Sequence, residues 1–296
     1  MHARTCVFSF VALFFIFSQA AVADTTEWRF EFLGATTTGL SNPHDIKLSP
    51  DGKHLFVSDV GNDRVVVLDA DSLAQVDAFG GDILDGTHDV DFDDKGQLYV
   101  ADTHKGRVAI FAMQGTRGEL AGSLDDRISG PEGVLVHPNG MIYVAGAWSN
   151  NLVAYRDGEV AHELRGLSAP HDLELAPDGR LWLADAGNDR ILLLSETLEK
   201  LGELSGEPFK FDGVRYLDVM PDGILIAADK DTHSVKVIDP RGKLLATLGN
   251  GRPGKGEGVF RTPEGVEISG DILWLSDSGN NRVVKYRILS KKGLQD

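Results

Sequence analysis

The chain is predicted to fold as an all-β, six-bladed β-propeller with four strands per blade, the ring closed by the N-terminal strand. Three observations predict this. One pattern of about 44 residues returns six times, with steps of 44, 44, 39, 44 and 49 between copies. Each copy holds four short apolar or alternating runs, separated by Asp-Gly, Asn-Gly, Gly-Asn and Pro-Asp turns. No stretch of the chain after its N-terminal segment has helical periodicity. Four strands at this period are the mark of a propeller blade.

The copies can be laid over one another. Copy one runs Pro43-His44-Asp45-Ile46, Pro50-Asp51-Gly52, Leu55-Phe56-Val57-Ser58-Asp59, Asn62-Asp63-Arg64-Val65. Its strands are expected over 44–48, 55–58, 65–69 and 75–79. Copy two opens at Thr87-His88-Asp89, copy three at Pro131-Glu132-Gly133 and copy four at Pro170-His171-Asp172. Copy five opens at Val214-Arg215-Tyr216 and copy six at Pro263-Glu264-Gly265. Copy six lacks a fourth strand of its own. The alternating Trp28-Arg29-Phe30-Glu31-Phe32-Leu33 segment is expected to supply it and so cover an open sheet edge.

The first 23 residues read as a signal peptide: Arg4, an apolar core over 7–17, then Ala21-Val22-Ala23. That core is short for a membrane span, so no stable span is expected after cleavage, and the product is expected to be secreted or periplasmic. Residues 24–296 form the single propeller domain. The only cysteine, Cys6, lies in the leader, so the domain carries no disulfide. Net charge is −16, and loss of Arg4 makes it −17. Such an acidic chain is a poor partner for nucleic acid or an anionic membrane.

The chemistry is expected at the variable residue of each copy: His44, His88, Glu132, His171, Arg215 and Glu264. These follow the start of the strand that lines a propeller channel, so all six should ring the axis. His44, His88, His171, Glu132 and Glu264 are metal-donor types, zinc first and calcium as the alternative. Asp45, Asp89 and Asp172 are candidate carboxylates for a neighbouring imidazole. Glu132 is a fourth ligand or general base. Arg215 is expected to stabilise negative charge, and Tyr216 to give or take a proton if it faces the channel. Strand alternation argues against Arg215 and Tyr216 both facing it. Asp59, Asp102, Asp185, Asp229 and Asp277 read as turn carboxylates pairing with arginines such as Arg64 and Arg282. Asp91, Asp93 and Asp94 read as a solvated acidic turn, His137 as a surface residue, and Trp148 as space-filling.

The segments Asp59-Val60-Gly61-Asn62-Asp63-Arg64-Val65, Asp185-Ala186-Gly187-Asn188-Asp189-Arg190-Ile191 and Asp277-Ser278-Gly279-Asn280-Asn281-Arg282-Val283 resemble the NHL repeat family. Pro43-His44-Asp45 and Pro170-His171-Asp172 are similar to the channel motifs of one NHL enzyme, the peptidyl-hydroxyglycine α-amidating lyase, a peptidyl-amidoglycolate lyase. The resemblance implies zinc on three channel histidines, with arginine and tyrosine assisting. In that enzyme the histidines come from alternating blades, whereas here they come from copies one, two and four. The expected function is therefore an exported, metal-dependent lyase or hydrolase acting on a small-molecule or peptide substrate. The alternatives are a calcium-dependent propeller hydrolase or lactonase, and a non-catalytic module with a protein or ligand partner on a propeller face.

Overall fold

The computed structural model describes residues 28–37 and 39–289. The expected signal peptide, 1–23, lies outside the described residues. Six four-stranded antiparallel sheets surround one axis. The first blade holds Pro43–Leu48, His54–Asp59, Arg64–Asp69 and Gln75–Phe79, from channel to rim. The four strands expected for copy one are thus present, with ends that differ by at most one residue. The channel strands of the other blades are Thr87–Phe92, Pro131–Val136, Pro170–Leu175, Val214–Val219 and Pro263–Ser269. Arg29–Ala35 pairs with Arg282–Leu289, Phe32 opposite Tyr286, and completes the sixth blade as expected.

The core lies between blades. In a strand, successive side chains point to opposite faces. Val65 and Val67 pack against Val90, Val100 and Phe111 of the second blade. Val66 and Leu68 pack against Trp274 and Val283 of the sixth. All four are at most 2 % exposed, so this strand is apolar without alternation because both of its faces are covered.

Two devices fix the loops at the channel mouth. In the first, Asp59 is fully buried at the end of the second strand. It accepts hydrogen bonds from Ser41 N, Asn62 Nδ2 and Arg64 Nε at 2.6, 2.8 and 2.8 Å. Asp185 and Asp277 repeat the arrangement with Arg190 and Arg282, which matches the turn-carboxylate reading. In the second, the left-handed residue of one blade's loop accepts the N–H two positions before the next blade's ring residue. Asp63 Oδ1 takes Gly86 N, Asp189 Oδ1 takes Gly213 N, and Asn281 Oδ1 takes Asn42 N, at 2.8–2.9 Å. The Gly-Asn-x-Arg signature therefore positions the channel ring as well as its own turn.

Every channel strand also carries a register slip at its ring residue. In the fifth blade Val214 pairs with Asp229 and Leu217 with Ala227, so Arg215 and Tyr216 together oppose Ala228. Such a bulge re-aims side chains. It overrides the alternation argument, and Arg215 and Tyr216 both reach the axis.

Candidate active site

Two struts cross the channel. The Tyr216 hydroxyl, from the fifth blade, donates to the His88 carbonyl of the second at 3.1 Å. Farther along the channel strand, Lys47 of the first blade donates to Glu174 Oε1 of the fourth at 3.0 Å. Blades three apart face each other across a ring of six, so the channel is barred twice. The variable residues line a cup at one mouth.

The structure brings all six together. The His44 and His88 rings meet edge to face with centroids 4.6 Å apart. Tyr216 lies beneath, its ring 6.3 Å from His44 and 6.5 Å from His171. Its phenol is fully buried, and burial raises its pKa well above the ordinary value. Its proton is directed at a backbone carbonyl under the ring.

His171 Nε2 meets both Glu132 Oε2 and Arg215 Nη1. Arg215 also faces Glu132 at 3.8 Å and Glu264 at 3.7 Å, and Lys230 faces Glu264 at 3.4 Å. Lys230 was not singled out in the sequence. The available signal is a lysine directly after Asp229, where the other copies place Val60, Thr103, Ala147, Ala186 and Ser278. Gly133 follows Glu132 because a Cβ there would strike the His171 carbonyl oxygen.

Electrostatics separate the roles. Burial alone would raise the pKa of Glu132, but the His171 hydrogen bond and surrounding positive charge hold it down to about 2. An anion so stabilised is a weak proton acceptor. Burial first, then His88 and Arg215, pushes His44 well below its ordinary value. Burial also lowers His88. Both imidazoles are neutral near pH 7.

The hydrogen bonds define the free nitrogen. His88 Nδ1 lies 2.9 Å from the Gly86 carbonyl and 2.8 Å from Thr103 Oγ1, whose own proton goes to the Pro131 carbonyl at 2.6 Å. Nδ1 therefore carries the proton and Nε2 is the acceptor. His171 Nδ1 likewise meets the Ala169 carbonyl at 2.8 Å, and its Nε2 lies against both Glu132 Oε2 and Arg215 Nη1. His44 Nε2 accepts from Asn42 Nδ2 at 3.1 Å, and its buried Nδ1 has no partner. Of the two acceptor nitrogens so defined, His44 Nε2 and His88 Nε2, only the second is not already engaged. Arg215 Nε and Glu264 Oε2 are also buried without hydrogen bonds.

The donor types suit zinc, but their placement does not. Among the described residues no three His, Cys, Asp or Glu side chains are grouped to hold one metal ion. The Arg215 guanidinium stands against the nitrogen that His171 would offer, and it supplies positive charge to Glu132 and Glu264 itself. The aspartates expected beside the imidazoles are engaged elsewhere. Asp45, Asp89 and Asp172 accept from Val90 N, Val134 N and Leu217 N of the next blade, at 3.3, 2.6 and 2.6 Å. They stitch blades together and do not orient imidazoles.

Three further expectations change. Asp91 is buried and faces Lys47 at 3.5 Å, while Asp93 closes a turn by accepting from Gln97 N. His137 is buried, donating to the Gly179 carbonyl at 3.1 Å and accepting from Asn139 N at 3.0 Å. Trp148 is 56 % exposed and fills no space in the core.

Fold and site together define a β-propeller protein with a polar cup at one end of its channel. Residues 18–138 match the sequence profile of the family described as Lactonase, 7-bladed beta-propeller, which covers less than half of this six-bladed chain. Human (Homo sapiens) NHL repeat-containing protein 2 is 28 % identical over 94 residues, 30 % of this chain and 13 % of that protein. The chain thus spans only a small part of this curated relative. Among solved structures, a catalytically inactive histidine-to-alanine variant of Staphylococcus aureus virginiamycin B lyase with quinupristin superposes with a TM-score of 0.63. It shares 16 % identity, over 89 % of this chain and 88 % of that one. A streptogramin B lyase structure gives 0.64 and 15 %, over 90 % and 93 %. At such identities the likeness shows the fold. The likeness to the amidating lyase rests on the channel motifs alone.

Proposed function

We propose that this protein is an exported propeller enzyme, a lyase or hydrolase that works by acid–base chemistry in the channel cup. Its substrate is a small molecule or peptide carrying a carbonyl-type oxygen. His88 Nε2 accepts a proton, and Arg215 with the His44 Nδ1–H stabilises the negative charge that develops on the substrate oxygen. Glu132 and His171 hold Arg215 in place, and Glu264 fixes the other side of its guanidinium with Lys230. Tyr216 supports the His88 backbone from below.

One observation carries this reading: His44 Nδ1 is buried without a hydrogen bond, and Arg215 Nε and Glu264 Oε2 meet each other only at 3.7 Å, too far to hydrogen-bond, beside an unengaged His88 Nε2. Leaving buried polar groups unpaired costs roughly 1–3 kcal/mol each, so a purely structural plug would be expected to satisfy them. The metal expected from the donor types is given no step, because Arg215 occupies its place. The test is turnover of a panel of esters, lactones and cyclic depsipeptides that includes quinupristin. His88→Ala and Arg215→Ala should each lower kcat by roughly 10²–10³-fold with the fold intact. Wild-type turnover that survives both substitutions would reject the assignment.

A further inference from the structure

On the same end of the propeller as the cup, two aromatic side chains stand at the rim. Trp148 belongs to the loop after Met141–Gly146 and His104 to the loop after Leu98–Asp102. Those strands end opposite Pro131 and Thr87, next to the ring residues Glu132 and His88. The indole and imidazole stack with centroids 5.9 Å apart and planes 23° from parallel.

The arrangement is built. His104 Nδ1 is held by Asp85 Oδ1 at 2.7 Å. A Cβ on Gly86 would come within 2.8 Å of His104 Nδ1, and one on Gly130 would collide with the Trp148 ring. Gly86 and Gly130 occupy the same place in consecutive repeats, two residues before His88 and Glu132. Both lack the side chain that would lift the rings away. The latch of the third blade is also rewritten: Gly146 and Asn151 stand where four blades have the Asp–Arg pair and the fifth has Asp229 with Ser234. The residue before His104 is Thr103, which hydrogen-bonds His88 Nδ1. A hydrogen bond therefore links the rim loop to the cup.

We propose that Trp148 and His104 form a stacking subsite for an aromatic ring of the substrate, placing that ring at the rim while its polar part reaches the cup. This rests on the reading of the cup as a substrate site. An aromatic ring is favoured because two nearly parallel π-systems are already aligned, and a third extends the stack in the offset geometry such rings prefer. More than half of the Trp148 surface is open to solvent, and a large exposed aromatic beside a polar cleft is the usual form of a ligand anchor.

The experiment follows the four indole N–H signals of the ¹⁵N-labelled protein while N-acetyl-phenylalaninamide is added at millimolar concentration, with methyl β-D-glucopyranoside as the second probe. Trp148→Phe assigns the signal. Trp182 and Trp274 are buried and serve as internal controls. The aromatic amide should shift the Trp148 signal selectively, the glucoside should not, and His104→Ala should weaken the response about 3- to 10-fold. A silent Trp148, or a shift with the glucoside alone, overturns the aromatic subsite. A rim response without turnover on any substrate removes the cup assignment and leaves the subsite standing. Both Trp148 and His104 are exposed at the surface, so their variants should fold.

Discussion

Tyr216 reaches from the fifth blade across the axis and donates its hydroxyl to the backbone carbonyl of His88 in the second, at 3.1 Å. The contact does two things. It bars the channel beneath the ring, and it fixes the main chain that carries the proposed base. Tyr216→Phe deletes only the hydroxyl and should cost about 1 kcal/mol in denaturant unfolding. Tyr216→Ala removes a fully buried ring as well and should cost about 3–5 kcal/mol. If the phenol positions His88, Tyr216→Phe also lowers kcat with little change in KM.

The loop latches should be among the most sensitive positions. Asp277 is fully buried and binds Arg282 Nε at 2.7 Å, Asn280 Nδ2 at 2.8 Å and Arg261 N at 2.7 Å. Asp277→Ala leaves a buried guanidinium unpaired, which costs about 3–5 kcal/mol. A smaller loss than in an exposed pair such as Lys53–Asp51, which should be worth no more than about 1 kcal/mol, would show that the latch does not act as described.

Stability should fall as pH rises above neutrality. Burial holds Asp89, Asp172, Asp218 and Glu267 well above their ordinary values of 3.8 and 4.5. A carboxyl whose folded pKa is raised keeps its proton better in the folded state. Its contribution is therefore present below the unfolded pKa and is lost as pH climbs through the folded one. Glu132, held at about 2, acts in the opposite sense at more acid pH, and the lowered His44 and His88 act in the opposite sense below the ordinary histidine value of 6.5. Thermal melts from pH 7 to pH 9 should show Tm declining across the range, and Asp218→Asn should flatten the decline. A Tm that rises steadily over that range contradicts this account.

Lys47 is the cation among those carboxylates, facing Glu174 at 3.0 Å and Asp91 at 3.5 Å. The surrounding negative charge outweighs burial and raises its pKa well above the ordinary value, so it stays charged. Lys47→Met should destabilise by roughly 3 kcal/mol at neutral pH and by less near pH 4, because burial raises the Glu174 pKa and Glu174 takes up its proton first. Equal losses at both pH values would show that charge is not the reason Lys47 is there.

Arg215 stands where a metal on His171 and Glu132 would have to sit. Wild-type protein purified without chelator should therefore hold well under one equivalent of zinc. Arg215→Ala, by releasing the His171 nitrogen, should gain zinc affinity, read by calorimetry. Stoichiometric zinc in the wild type that is lost on His44, His88, His171→Ala substitution would restore the metal-dependent reading.

The sequence carried the architecture because the period, the turn residues and the Asp–Arg pairs are local signals. It also carried the ring, because one position per repeat changes while its frame stays fixed. The bulge at that position was not legible. It comes from packing six channel strands around an axis, and it makes two consecutive residues, Arg215 and Tyr216, face inward where simple alternation allows one. For the same reason Asp45 turned out to bind Val90 N and not an imidazole. The Lys47 layer left a trace that can be recognised afterwards: charged residues three positions after the ring residue, at Asp91, Glu174, Asp218 and Glu267. The protonation roles of His88 and Glu132 depend on partners from other blades, such as Thr103–Pro131 and His171–Arg215, which no single repeat encodes.

The most direct test is a long-range ¹H–¹⁵N spectrum of the histidine side chains at neutral pH, with His88 assigned by His88→Ala. The account predicts a neutral His88 imidazole with its proton on Nδ1 and an unprotonated Nε2 that responds when substrate fills the cup. A proton on Nε2, or an imidazolium at neutral pH, would remove the base from the proposed site and contradict the account.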